Sequence, residues 1–148
     1  MAIGSRDGTV ACVGGGGTVI WREKQGGYVL SVCFRGQTQE VLAASLNGTL
    51  TCYDKNGKAR WTRRSPVGFR FVGSSLDGGV VAAAELSGRV LFLDAKGRLL
   101  ARSEPIGAMV QAFTLAADPQ AALALVGTAA GEVLLFNYKR ATAARDEL

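Results

Sequence analysis

The sequence contains no histidine, which takes the commonest general base and the commonest metal ligand away from any chemistry the chain could carry. Cysteine is almost as scarce. Cys12, Cys33 and Cys52 form an odd set with no Cys-x-x-Cys pair, so the usual zinc ligand sets cannot be assembled and buried, reduced thiols are the expectation. Long apolar runs are missing too: charges, glycines or turn residues interrupt every stretch well before the roughly 18 residues of a membrane span. The start, Met-Ala-Ile-Gly-Ser-Arg-Asp-Gly, lacks the apolar core of a signal peptide, so a cytoplasmic location is expected.

What the chain does have is enough apolar material for one folded domain. Over 148 residues, 48% are hydrophobic against 20% charged, a balance that belongs to globular proteins and not to disordered ones. The net charge of +5 permits an acidic partner without naming one.

The most informative feature is an internal repeat of about 40 residues. Asp7-Gly8-Thr9-Val10, Asn47-Gly48-Thr49-Leu50, Ser87-Gly88-Arg89-Val90 and Ala130-Gly131-Glu132-Val133 recur at spacings of 40, 40 and 43. Each follows a strand-like stretch and opens another, as a tight hairpin turn does. A second turn repeats in step: Gly14-Gly15-Gly16-Gly17, Asp54-Lys55-Asn56-Gly57 and Asp94-Ala95-Lys96-Gly97. That register accounts for the four-glycine run. No Gly-Lys-Ser/Thr follows it, so it is read as a hairpin turn and not as a phosphate loop.

Strands are expected on either side of these turns. Val19 to Arg22, Ala59 to Thr62 and Leu99 to Arg102 follow the second turn and read as polar-flanked edge strands. Tyr28 to Phe34, Gly68 to Val72 and Ala108 to Leu115 precede the apolar stretches Val41 to Ser45, Val80 to Ala84 and Ala122 to Val126. Val90 to Leu93 and Val133 to Phe136 are apolar at every position, which predicts that both faces of each are covered. Helical periodicity is absent along most of the chain, so the fold class is all-β, with four strands per repeat.

This pattern resembles the pyrroloquinoline-quinone-type, or quinoprotein-like, β-propeller repeat, which is related in shape to the WD-repeat propellers. Its motif is Ala-x-Asp-x-x-x-Gly-x-x-x-Trp. Asp54, Gly57 and Trp61 match it with a turn one residue shorter, Asp94 and Gly97 match with Ala101 in place of the tryptophan, and Gly17 with Trp21 keep the second half. The likeness spans residues 2 to 138. It implies antiparallel four-stranded blades, about three and a half of them over residues 1–140, followed by a flexible tail at 141–148. It also implies that Trp21 and Trp61 dock one blade against the next. The two aspartates are expected to bond the backbone of their own turns. An unclosed arc leaves its end blades bare to water, and propellers close with four to eight blades. A ring completed by a second copy about a twofold axis is therefore favoured. Completion by a different chain, or membership of a longer propeller, is the alternative.

For function the repeat alone is weak, because such blades serve both in quinone dehydrogenases and in non-catalytic scaffolds. The dehydrogenases use a larger ring and dedicated pocket residues with no match here, and the acidic residues are scattered over turns and strand ends. No catalytic residue, cofactor or metal ligand is therefore expected, and a protein-binding scaffold is the favoured function. One candidate surface stands out: Lys55, Lys58, Arg60, Arg63, Arg64 and Arg70, interleaved with Trp61, Phe69 and Phe71. Basic residues among aromatics can neutralise phosphates and stack bases, so a nucleic-acid-binding propeller is one alternative. A quinone-binding or envelope-assembly propeller is another. The final Arg-Asp-Glu-Leu resembles an endoplasmic-reticulum retrieval signal, which lacks force without a signal peptide.

Overall fold

The computed structural model describes residues 1–115 and 123–138. Residue 122, placed in a strand by the sequence, and the tail at 141–148 with its Arg-Asp-Glu-Leu end lie outside them. The described residues form strands throughout: β1 (Ala2–Gly4), β2 (Thr9–Val13), β3 (Val19–Lys24), β4 (Val29–Phe34), β5 (Val41–Ser45), β6 (Thr49–Tyr53), β7 (Ala59–Arg64), β8 (Phe69–Ser74), β9 (Val80–Glu85), β10 (Val90–Asp94), β11 (Leu99–Arg102), β12 (Val110–Leu115), β13 (Leu123–Thr128) and β14 (Val133–Asn137). They pair as antiparallel meanders in chain order: β1-β2-β3, β4-β5-β6-β7, β8-β9-β10-β11 and β12-β13-β14. We call these sheets 1 to 4.

Both families of turn take the form the repeat demands. In the first, the glycine N–H donates to the carbonyl three residues back: Gly8 to Ser5, Gly48 to Ser45, Gly88 to Glu85 and Gly131 to Thr128. In the second, Gly17 donates to Gly14, Gly57 to Asp54 and Gly97 to Asp94. The four-glycine run is thus the same turn as its two partners. A further periodic feature escaped the sequence pattern. The ladder slips at Cys12/Val13, Cys52/Tyr53 and Phe92/Leu93, and again at Val29/Ser31, Phe69/Phe71 and Val110/Ala112. Each slip is a bulge that increases local twist, and side-chain alternation gives no warning of it.

The sheets stack face to face, and alternate residues of the central strands feed the two flanking cores. From β5, Val41 and Ala43 face sheet 1, with Val10, Cys12 and Trp21, while Leu42 and Ala44 face sheet 3, with Phe69, Val81 and Leu93. From β9, Val81 and Ala83 face sheet 2, whereas Ala82 and Ala84 face sheet 4. Such double coverage is why these strands are apolar at successive positions. Each fully buried large side chain, such as Leu42, Leu50 or Phe69, contributes roughly 1.5–3 kcal/mol by leaving water.

One expectation is corrected. β10 is covered on both faces, but β14 is not, since Val133 and Leu135 are 70% and 63% exposed. They occupy the repeat positions of Val90 and Phe92, which are 0% and 2% exposed because sheet 4 covers them. No described sheet lies beyond sheet 4 to do the same for β14.

Candidate functional site

Trp21 and Trp61 sit on the last strands of sheets 1 and 2, each opposite a cysteine of the neighbouring strand, Cys12 and Cys52. Both rings cross to the second turn of the following sheet. A Cβ on Gly57 would lie 3.0 Å from the Trp21 ring, and one on Gly97 would lie 2.6 Å from Trp61. The Trp61 indole N–H donates to the Ala95 carbonyl at 3.0 Å. Trp21 also packs on Tyr53 with ring centroids 5.5 Å apart. At the third position Ala101 is buried in the core between sheets 3 and 4.

The turn aspartates bond locally. Asp54 Oδ1 accepts the N–H groups of Asn56 and Lys58 at 2.8 and 3.0 Å, and Asp94 Oδ1 those of Lys96 and Arg98, both at 2.9 Å. The backbone N–H groups of Asn56 and Lys58 hold the Asp54 carboxyl below its ordinary range. For Asp94, burial pushes upward but is outweighed by the backbone and guanidinium of Arg98 and the N–H of Lys96, so its carboxyl is lowered as well. Burial pushes the Cys33 thiol up to about 12, and burial with the nearby Glu40 carboxylate does the same to Cys52. Neither forms a thiolate readily near neutrality.

The basic stretch does not stay together. Lys55 and Arg60 border a hollow that also contains Arg35, Glu40 and Asp54. There Glu40 is ion-paired with Arg35 and lies 3.1 Å from Arg60, so much of the local charge is cancelled. Lys58 and Arg64 line a cleft of about 530 Å³ between β3 and β7, facing Glu23, Lys24 and Tyr53. Arg70 lies 5.6 Å over the Phe71 ring and donates to Gln111 of sheet 4 at 3.2 Å. Phe69 is buried between sheets 2 and 3, while Trp61 and Phe71 pack against separate cores. The three aromatics therefore do not form one stacking surface.

Arg63 goes elsewhere. Its Cα partner is Leu50, which places it on the face of sheet 2 turned toward sheet 3, whereas Arg64, paired with Thr49, turns toward sheet 1. Across the cleft, the register of sheet 3 puts Arg89 on the same face as Leu91 and Leu93, and Arg102 opposite Leu91. Arg63, Arg89 and Arg102 border one hollow of about 170 Å³. Glu85 lies buried at its edge, accepting hydrogen bonds from Ser65 at 2.6 Å and Ser87 at 3.0 Å. Sequence proximity missed this grouping because its members stand 26 and 13 residues apart. Counting strand register from the Asp94–Gly97 turn would have set Arg102 on the opposite face, because the slip at Phe92/Leu93 is what makes it the partner of Leu91.

No protein-family model matches the chain, and no curated protein matches it either. Solved structures do. One is the WD-repeat propeller Sqt1 of Chaetomium thermophilum, bound to the N-terminus of the ribosomal protein L10. It matches with a TM-score of 0.77 at 18% identity, over 92% of this chain and 40% of that one. Another is BamB from Moraxella catarrhalis, a quinoprotein-like propeller, with a TM-score of 0.75 at 22% identity over 95% of this chain and 42% of that one. The fold is therefore that of β-propeller blades, and the chain spans about two-fifths of the length of either match.

Proposed function

We propose that this chain is a non-catalytic β-propeller scaffold that binds protein partners in the cytosol and closes its ring with a second copy of itself. The observation that carries the ring closure is the bare outer face of sheet 4. Val133 and Leu135 stand where Val90 and Phe92 are fully covered by a further sheet, and an apolar face of this kind calls for a partner sheet. The opposite end of the stack supplies a complementary surface: Ile3 and Ile20 of sheet 1 are 43% and 60% exposed. Since the chain spans about two-fifths of each matched propeller, two copies supply roughly four-fifths of such a chain. With a twofold axis, sheet 4 of each copy meets sheet 1 of the other, and both junctions are the same.

Protein binding is supported by the fold and by Sqt1, whose structure holds a segment of a ribosomal protein. The unpaired thiols of Cys12, Cys33 and Cys52 suit a reducing compartment.

Mass in solution tests the closure. Light scattering is expected to give twice 15.4 kDa for the native chain and 15.4 kDa for a folded V133K/L135K variant. A native chain that stays monomeric throughout the micromolar range overturns it.

A further inference from the structure

Given a protein-binding scaffold, we infer that the cleft between sheets 2 and 3, walled by Arg63, Arg89 and Arg102, receives an acidic side chain of a peptide partner. Arg63, Arg89 and Arg102 line this hollow from two sheets, together with Arg64, which gives an N–H to Thr49, against a single carboxylate, Glu85. Glu85 makes no ion pair with them within 4.0 Å among the described residues, and its oxygens accept the hydroxyls of Ser65 and Ser87. None of the three arginines has an ion pair within 4.0 Å among the described residues. Arg63 gives one N–H to the Gly97 carbonyl at a long 3.4 Å. The Nε of Arg89 is buried with no hydrogen-bond partner, a costly state for a charged donor that an incoming anion would relieve.

Size and lining select the ligand. About 170 Å³ takes a side chain but not a nucleoside, and a nucleic acid would need the positive charge drawn out along a track. Leu91 and Leu99 line the hollow with the arginines, so the methylene stem of a glutamate meets apolar wall while its carboxylate meets planar, bidentate donors. Of the other basic residues, Arg60 is already matched by Glu40; Arg70 shares with Arg89 a buried Nε without a partner, but it lies over the Phe71 ring and donates to Gln111, with no second arginine beside it in a hollow among the described residues.

Fluorescence anisotropy with a labelled decapeptide of alternating glutamate and alanine tests this on the full chain, beside its glutamine counterpart and a ten-nucleotide oligothymidine. The glutamate peptide is expected to bind, and to bind more weakly as salt rises. R89Q/R102Q should weaken it by about tenfold or more. So should R102Q alone to a lesser degree, at an exposed position where folding is not at stake. R70Q should leave affinity unchanged. Equal binding of the glutamine peptide, equal loss in R70Q, or preference for the oligonucleotide through the same arginines overturns the assignment. If no glutamate peptide binds but the chain has the doubled mass, the cleft is wrong and the ring stands. If a strict monomer binds the peptide through Arg89 and Arg102, the ring is wrong and the cleft stands.

Discussion

At Gly97 two separate constraints meet in one residue. Its φ is +76°, and an added Cβ would lie 2.6 Å from the Trp61 ring. Gly17 holds the same place in the first repeat with φ +80°, but nothing lies within 4 Å of its Cβ position. A G17A substitution should therefore show only the left-handed backbone cost, about 1–2 kcal/mol. G97A adds overpacking against an indole that is held by its hydrogen bond to Ala95, and should lose roughly 2–4 kcal/mol in total. Urea unfolding of the two variants reads the difference, and equal losses would show that Trp61 yields freely. Three residues before Gly97, Asp94 carries a pH dependence. Its carboxyl is held below the ordinary 3.8, so its contribution is fully present above that value and is lost as the pH falls through the lower folded one. D94A should cost about 1 kcal/mol at pH 7 and flatten the decline in urea midpoint between pH 5 and pH 3, measured beside the native chain. An unchanged acid slope would assign that decline to the other lowered carboxyls, Asp7, Asp54 and Asp77.

At the scale of strands and sheets, the clearest comparison is between β10 and β14. Phe92 and Leu135 share a repeat position, but Phe92 stacks on Tyr138 with centroids 5.0 Å apart while Leu135 meets no further sheet among the described residues. F92A should destabilise the chain by roughly 3–5 kcal/mol, and L135A should change the stability of the isolated chain by only a few tenths. Chemical denaturation at concentrations low enough to keep the chain monomeric distinguishes them. This pair also marks the limit of what could be read in advance. Turn residues at fixed spacing located almost every strand, because Asp-Gly and Asn-Gly turns declare themselves locally. The unbroken apolar run of β10 declared double coverage correctly, since Leu91 and Leu93 face sheet 2 while Val90 and Phe92 face sheet 4. The same apolar pattern in β14 predicted coverage that the described residues do not supply, since Val133 and Leu135 stay exposed. The bulges at Cys12, Cys52 and Phe92 were illegible for a different reason: they arise from ladder geometry and leave the residue types unchanged. The arginine cleft was hidden in the same way: the slip at Phe92/Leu93 sets Arg102 on the face of Arg89, and Arg63 joins them only when sheets 2 and 3 stack.

For the molecule as a whole, the open stack has thermodynamic consequences that a closed ring within one chain would lack. Its three inner cores, between successive sheets, are complete in each copy. Under the two-copy ring, the remaining apolar area at Val133, Leu135, Ile3 and Ile20 is buried only on association, so part of the total stability is paid out in units of concentration. Mass action then requires the melting temperature to rise as the protein is concentrated. A hundredfold increase in chain concentration should raise it by several degrees, since RT ln 100 is about 2.7 kcal/mol and a domain of this size shifts by a few degrees per kcal/mol. The V133K/L135K variant should melt at one temperature regardless of concentration, and near that of the dilute native chain, because its three inner cores are untouched. Differential scanning calorimetry across that range checks both. A native melting temperature that does not move with concentration would mean that each chain holds all of its own stability, and the exposed face of sheet 4 would then have to be tolerated by water without a partner.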